Sequence, residues 1–154
     1  MCDIKDVENF IKLAKKYKNK NIVLMQCGSM YPIPSKYVNL NVLKTYREYK
    51  FQLGFSDHTI GFEAAMCSRA IGAKYFEKHF TLNKKLKGPD HFFATEPSEF
   101  KNYIQKIKLV ETLLGTSSKD MLPDEKKFGR REGIYYSKNI KKWTIIKKDF
   151  LYIK

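Results

Sequence analysis

Segments with helical periodicity alternate with short apolar runs through most of this chain, and this alternation restricts the fold more than any other feature. The helical segments carry apolar residues at steps of three and four, as in the stripe that begins at Ile4 behind a capping Asp3. Predicted strands cover residues 21–27, 51–55 and 74–80, and predicted helices cover residues 4–17, 40–49, 60–71 and 97–114. Strands that alternate with helices in this way predict an α/β fold with a parallel sheet.

Three strands are too few to close a barrel, and they leave two open edges on the predicted sheet. Any barrel is therefore incomplete within residues 1–115. Residues 116–131 are polar and irregular, which is the composition of a linker. A strand-like stretch at residues 133–137, followed by residues 139–146, then predicts a second small domain that begins at residue 132 and is cut off at residue 154.

All three histidines lie near the predicted carboxyl ends of strands: His58, His79 and His91. His58 and His79 each close an apolar run, and one helix-length segment separates them. In a parallel β/α repeat this spacing places both imidazoles at the same end of neighbouring strands. Such strands lie roughly 5 Å apart, so the two side chains are close enough to share one cation. The same spacing also allows two hydrogen-bonded histidines of the core.

The cysteines and the apolar segments bear on the cellular compartment in which the protein is expected to fold. Cys2, Cys27 and Cys67 are widely spaced and form no C-x-x-C pair, so neither a disulfide framework nor a zinc ribbon is predicted. The longest apolar stretch, residues 22–25, is far too short to cross a bilayer, and the amino terminus has no hydrophobic signal region. We therefore expect a soluble, cytoplasmic protein without a membrane partner.

The formal net charge of +14 raises the question of a nucleic-acid partner. Most of the excess is lysine that is scattered over predicted helix faces and loops, and no helix-turn-helix or zinc finger accompanies it. A solvated lysine-rich surface explains this pattern better than a binding groove does, and a positive field also favours a small anionic substrate. A basic nucleic-acid-binding module remains the alternative, and it predicts binding to DNA that collapses with added salt.

Several strings in fixed order resemble the sialic acid synthase family. GFSDHTIGFEAA, IGAKYFEKHFTLN, GPDH and TEPSEF follow one another over residues 54–100, preceded by QCGSMYPIP and NL over residues 26–40. The resemblance implies that residues 1–115 are the last three strands, with their helices, of a TIM-type β/α barrel. It implies a linker at 116–131 and the start of a small β-rich antifreeze-like (SAF) domain at 132–154. Met1 resembles the residue that ends the family's fifth strand.

The resemblance also implies a reaction. This family condenses phosphoenolpyruvate with an N-acetylated amino sugar, such as N-acetylmannosamine, to give a nine-carbon 2-keto acid and phosphate. A divalent cation, Mn²⁺ or Mg²⁺, polarises the aldehyde of the open-chain sugar. His58 and His79 match the family's metal-binding histidines. Two nitrogen ligands leave coordination positions free, as a catalytic site requires.

Four further residues match substrate-binding positions of the family. Ser56 matches a position near the phosphate, although a serine there can also cap a turn. Asp90 matches the acceptor for the sugar hydroxyls, or forms a plain Asx turn. Ser29 and Tyr31 lie in the loop that lines the substrate pocket, where Tyr31 is equally suited to packing. We take Asp90 and Tyr31 as the candidate catalytic residues.

The pair Glu77 and Lys78 flanks His79 and is interpreted as a buried ion pair or as support for that histidine. His91, after Asp90, resembles the sialic and legionaminic branches of the family, whereas Phe92 and Phe93 favour the pseudaminic branch. The acceptor sugar is therefore left open at this point.

Three places in the sequence depart from the family's pattern. Gln26-Cys27-Gly28 stands where His-Cys-Thr is usual, which predicts a different pocket floor. The Arg-Arg-Ser of the second domain is altered at residues 130–133, and Trp143 replaces an expected glycine. The family's acid/base glutamate and phosphate-binding lysines lie on strands that have no counterpart in this sequence. Activity is therefore expected to need an amino-terminal half, on the same or on a separate chain, and the complete enzyme to be a homodimer; the alternative is a catalytically incomplete fragment.

Overall fold

The computed structural model describes residues 2–129 and 132–154. It divides into two compact units, Met1–Gly115 and Thr116–Lys154. None of the helices in the described residues is long and apolar enough to span a bilayer. Met1, Arg130 and Arg131, which entered the comparison of sequence motifs, lie outside the described residues.

The first unit alternates helices and strands. Its elements are α1 (Ile4–Lys16), β1 (Val23–Cys27), α2 (Val42–Glu48), β2 (Gln52–Asp57), α3 (Glu63–Ile71), β3 (Tyr75–Lys78) and α4 (Pro97–Leu114). The strands form a sheet in the order β1-β2-β3, and both pairings are parallel. The prediction of an α/β fold with a parallel sheet is therefore confirmed.

Local sequence signals explain where the helices begin and end. The Asp3 carboxylate accepts a hydrogen bond from the Asp6 amide at 3.0 Å, and the Asp6 carboxylate accepts one from the Asp3 amide at 3.0 Å. Helix α3 ends at Gly72, whose φ of 118° suits a residue without Cβ. Pro97 occupies the first turn of α4, where a missing amide hydrogen costs nothing.

The end of β2 and the start of α3 differ from the prediction for one physical reason. Strand β2 continues to Asp57, and α3 begins only at Glu63 rather than at residue 60. The intervening residues form a turn in which the Asp57 carboxylate accepts a hydrogen bond from the Thr59 amide at 2.8 Å. Gly61 in this turn has a φ of 87°, which a continuing helix does not allow.

The apolar core lies on one face of the sheet. Leu24, Leu53 and Phe55 are buried there against α1 and α2, which contribute Ile11 and Leu43. Alternation along a strand sends the intervening residues to the opposite face. That second face carries the exposed residues Cys27, Tyr75 and Glu77. The carboxyl ends of the strands are level, since Cys27 pairs with Ser56 and Ser56 with Glu77.

The second unit contains α5 (Pro123–Phe128), β4 (Ile134–Tyr136) and β5 (Leu151–Ile153). Strands β4 and β5 pair in antiparallel fashion. Helix α5 lies within residues 116–131, the stretch expected to be a linker, and β4 lies within the strand-like stretch expected at residues 133–137.

Trp143 occupies a backbone conformation that favours glycine. The Thr144 amide donates to the Lys141 carbonyl at 3.1 Å, so residues 141–144 form a turn, and Trp143 at its third position has a φ of 70°. The side chain is 89% exposed and has little packing to offset this conformation. The glycine expected at this position from the family's pattern therefore has a physical reason.

Replacing Trp143 by glycine should stabilise the second unit. A non-glycine residue in the left-handed region costs about 1–2 kcal/mol, so we expect amide exchange in the β4–β5 hairpin to slow roughly fivefold or more. Hydrogen exchange followed by NMR at the Ser137 and Lys154 amides, which bond across the hairpin, measures this. Trp143→Ala is the matched control, because it removes the indole but keeps Cβ; equal slowing in both variants would contradict the explanation.

Candidate active site

His58 directly follows β2 and is 4% exposed. Its Nδ1 lies 2.7 Å from the Gly28 carbonyl oxygen in the loop after β1. A carbonyl oxygen only accepts, so Nδ1 carries the proton and donates. The lone pair of the neutral ring is then on Nε2, which is the tautomer that binds a metal with a fixed ring orientation. The backbone is also held, since the Ile33 amide donates to the His58 carbonyl at 2.9 Å.

His79 directly follows β3 and stands beside His58. The two ring centroids are 5.1 Å apart and the ring planes meet at 75°. The His79 carbonyl accepts a hydrogen bond from the Thr95 amide at 2.8 Å, which fixes its backbone. Level strand ends in a parallel sheet thus place two imidazoles next to each other at one edge of the second face.

Aromatic side chains form one wall of this site. The Tyr31 ring lies 4.4 Å from His58 and 5.6 Å from His79, measured between centroids. The Phe93 ring lies 5.0 Å from His79 and 6.0 Å from Tyr31. Tyr31 is half exposed, whereas Phe93 is buried. The sequence motifs placed Tyr31 in the pocket loop, but Phe93 entered only as an indication of the acceptor sugar. An aromatic residue in a loop has no periodic pattern from which the position of its side chain can be predicted.

Asp90 lies at the open side of the site. Its Oδ2 is 3.8 Å from His79 Nδ1, and its side chain is 56% exposed, so it is accessible to a ligand. Ser29 is exposed in the loop after β1. His91 does not join the pair of histidines: its Nδ1 lies 2.8 Å from Thr81 Oγ1.

Ser56 and Glu77 face the site from neighbouring strands. The buried Ser56 hydroxyl donates to Glu77 Oε1 at 2.6 Å. The interpretation of Glu77 and Lys78 as an ion pair is wrong, because alternation along β3 points them to opposite faces of the sheet. Lys78 instead pairs with Asp57, with 3.1 Å between Nζ and Oδ2 and side-chain exposures of 4% and 0%.

Sequence reasoning missed Asp57. Its signal was present, since a charged residue directly precedes each of the two histidines, as Asp57-His58 and Lys78-His79. Gln26 also differs from expectation. Its Nε2 donates to the Val38 carbonyl at 2.9 Å on the face opposite Cys27, so it anchors the loop after β1 instead of forming the pocket floor.

The two imidazoles suit a shared, open cation site. Across residues 2–129 and 132–154 no group of three or more His, Cys, Asp or Glu side chains is placed to hold a metal ion, so the histidine pair offers two ligands and not a complete set. A protonated His58 Nδ1 leaves Nε2 available, and His79 is close enough to contribute a second nitrogen. Mn²⁺ prefers oxygen ligands, which water and substrate can supply at the positions that two imidazole nitrogens leave free, so the residues present are compatible with such an ion.

The model of the NeuB family matches residues 1–119. The chain belongs to the NeuB family. It is 39% identical over 152 residues to an uncharacterized protein of Methanocaldococcus jannaschii, covering 97% of this chain and 45% of that protein. It is 39% identical over 124 residues to the N,N'-diacetyllegionaminic acid synthase of Legionella pneumophila, covering 77% and 35%. It is 34% identical over 140 residues to human N-acetylneuraminate-9-phosphate synthase, covering 88% and 41%.

Solved structures agree with this assignment. A crystal structure of N-acetylneuraminic acid synthetase from Leptospira borgpetersenii superposes with a TM-score of 0.73 at 28% identity, covering 82% of this NeuB-family chain and 45% of that chain. The spore coat polysaccharide biosynthesis protein SpsE of Bacillus subtilis gives 0.69 at 30% identity, covering 99% and 48%. The family resemblance predicted from the sequence strings is therefore confirmed. This chain spans half or less of the length of the curated relatives cited above.

Proposed function

We propose that this chain supplies the metal-binding part of a synthase that condenses phosphoenolpyruvate with an N-acetylated amino sugar. The product is a nine-carbon 2-keto sugar acid for surface polysaccharides, and phosphate is released. The observation that carries this proposal is the pair of adjacent imidazoles, 5.1 Å apart, at the ends of neighbouring parallel strands. Relatives named as sialic, legionaminic and pseudaminic acid synthases support the class of reaction.

The bond changes define what the site must do. C3 of phosphoenolpyruvate bonds to the aldehyde carbon of the open-chain sugar, a water oxygen bonds to C2, and the bond from C2 to the phosphate oxygen breaks. A bound Mn²⁺ or Mg²⁺ supplies a Lewis acid that polarises the aldehyde. His58 and His79 would hold this ion, and the hydrogen bond to Gly28 fixes the donor tautomer of His58.

The remaining residues bind and orient substrate. Asp90, exposed beside His79, accepts hydrogen bonds from the sugar hydroxyls. Ser56 donates toward the phosphate of phosphoenolpyruvate when its hydroxyl leaves Glu77, and Ser29 lines the loop side of the pocket. Tyr31 forms an aromatic wall that excludes water from the reacting aldehyde.

In this proposal, the remaining residues of the site lie on barrel strands other than β1, β2 and β3. The first unit corresponds to the last three strands of a TIM-type barrel, whose edge strands β1 and β3 pair with the remaining strands. Those strands belong to an amino-terminal half, on the same or on a separate chain. Residues 132–154 correspond to the start of an antifreeze-like domain. The complete enzyme is a cytoplasmic homodimer, and this chain without the missing half is inactive.

Phosphate release tests the proposed function. We expect a fusion of the first half of the Legionella pneumophila relative to this chain to release phosphate from phosphoenolpyruvate in the presence of Mn²⁺ and that relative's acceptor sugar. Neither half alone should do so, because each holds only part of the site. Chelation with EDTA should abolish the signal, and added Mn²⁺ should restore it. A fusion that is folded by circular dichroism yet inactive at every metal concentration argues against the proposal.

A further inference from the structure

We propose that the buried ion pair Asp57–Lys78 positions His58 and His79 so that they can share one cation. The inference rests on the proposed function. Each charged residue directly precedes one histidine, and the two are partners in the register of β2 and β3. Because side chains alternate along a strand, Asp57 and Lys78 point into the layer between sheet and helices, while the histidines point to the second face. The ion pair is thus a crosslink behind the site.

The pair also fixes the turn that follows His58. Asp57 Oδ1 accepts hydrogen bonds from the Thr59 amide at 2.8 Å and from the Thr59 hydroxyl at 2.7 Å. Lys78 Nζ donates to the Thr59 carbonyl and, at 3.3 Å, to the Gly61 carbonyl. The residues on both sides of His58 are therefore bound to one network that begins next to His79. Displacement of either strand end breaks several of these hydrogen bonds together.

Helix α4 completes the network. Lys78 Nζ lies 5.2 Å from the centroid of the Tyr103 ring, a distance at which a cation is attracted by the ring face. Tyr103 is itself buried, and burial followed by the negative charge of Asp57 raises the pKa of its hydroxyl well above the usual value. The hydroxyl therefore stays protonated and neutral at physiological pH, so Tyr103 adds no negative charge beside the Asp57 carboxylate.

A stabilising role alone does not explain this arrangement. Removing two charges from water costs so much that an apolar pair of similar volume is often equally or more stabilising. A buried pair with additional hydrogen bonds has a different property, because its geometry is unique where apolar packing tolerates small shifts. Two imidazoles that bind one ion need such a fixed separation.

Two variants separate positioning from stability. Asp57→Asn breaks the ion pair but keeps the shape of the side chain. The double variant Asp57→Leu with Lys78→Met replaces the pair by apolar groups of similar volume. Glu111→Gln is the matched control, because it breaks an ion pair of the same unit, Arg69–Glu111 at 2.7 Å, whose carboxylate is exposed. Mn²⁺ affinity is measured by the electron paramagnetic resonance signal of free Mn²⁺, stability by thermal unfolding, and the His58 Nδ1–H hydrogen bond by NMR of the imidazole nitrogens.

We expect Asp57→Asn to weaken Mn²⁺ binding roughly 10- to 100-fold, as loss of supporting contacts does at other metal sites. The double variant should unfold at or above the temperature of the original chain yet bind Mn²⁺ equally weakly, with the Nδ1–H signal of His58 broadened or lost. Glu111→Gln should change neither affinity nor that signal.

The inference is overturned if the double variant binds Mn²⁺ like the original chain, since the pair is then structural only. The double variant also gives the answer if Asp57→Asn does not fold. Failure of the unaltered chain to bind Mn²⁺ contradicts the proposed function instead. In that case an unchanged Nδ1–H signal in the double variant overturns the positioning role, and its loss supports it.

Discussion

Replacing His58 by alanine should lower the Mn²⁺ affinity of this chain by at least ~100-fold and abolish phosphate release by the fusion. Loss of a metal ligand lowers the metal affinity at least as much as loss of the group that orients that ligand. Loss of an orienting group lowers the affinity roughly 10–100-fold. His79→Ala should have the same effect, because a single remaining imidazole holds a divalent cation poorly. Titration with Mn²⁺ followed by electron paramagnetic resonance measures the affinity, and coupled detection of phosphate measures the reaction.

His91→Ala is the matched control for this prediction. It removes the same ring from the loop after β3, where His91 is bonded to Thr81 and makes no contact with the paired histidines. We expect its Mn²⁺ affinity to stay within about threefold of the affinity of the unaltered chain, which is a change of less than about 1 kcal/mol in binding free energy. A loss as large as that of His58→Ala would mean that the cation is held elsewhere. Retention of Mn²⁺ binding in both His58→Ala and His79→Ala would lead to the same conclusion.

Asp90→Asn should lower kcat/KM for the acceptor sugar by roughly 100-fold in the fusion. A hydrogen bond to a charged group contributes about 1.5–3 kcal/mol, and each 1.4 kcal/mol is a factor of ten, so two weakened bonds to sugar hydroxyls account for this loss. The KM for phosphoenolpyruvate should be unchanged. Steady-state kinetics with each substrate varied in turn measures the two effects separately.

The position of Asp90 beside His79 makes the Mn²⁺ affinity of this variant informative. At 3.8 Å from His79 Nδ1, the carboxylate is near enough to orient that ring as well as to bind sugar. If Asp90 acts on the sugar, Mn²⁺ affinity stays within about threefold of the original value. A tenfold loss of Mn²⁺ affinity with an unchanged acceptor KM would assign it to the metal site instead. Asp120→Asn, at an exposed aspartate of the second unit, serves as control.

The amino-acid sequence by itself determined the order of elements in the first unit and three of its helix boundaries. These depend on neighbours in sequence: the capping pair Asp3 and Asp6, Pro97 at the start of α4, and Gly72 at the end of α3. The position of His58 and His79 at one edge of a sheet also followed, because each closes an apolar run and parallel strands are level at their carboxyl ends.

Only the tertiary structure decided which face each side chain occupies and what it meets there. Glu77 and Lys78 are adjacent in β3 and point to opposite faces of the sheet. Glu77 accepts a hydrogen bond from Ser56 at the site, whereas Lys78 pairs with Asp57 on the other face. Likewise Phe93 reaches His79 through a loop whose path has no periodic signal, and β4 pairs with β5 across an irregular segment. These contacts join residues far apart in sequence, so their geometry is set by packing of the whole unit and not by local propensity.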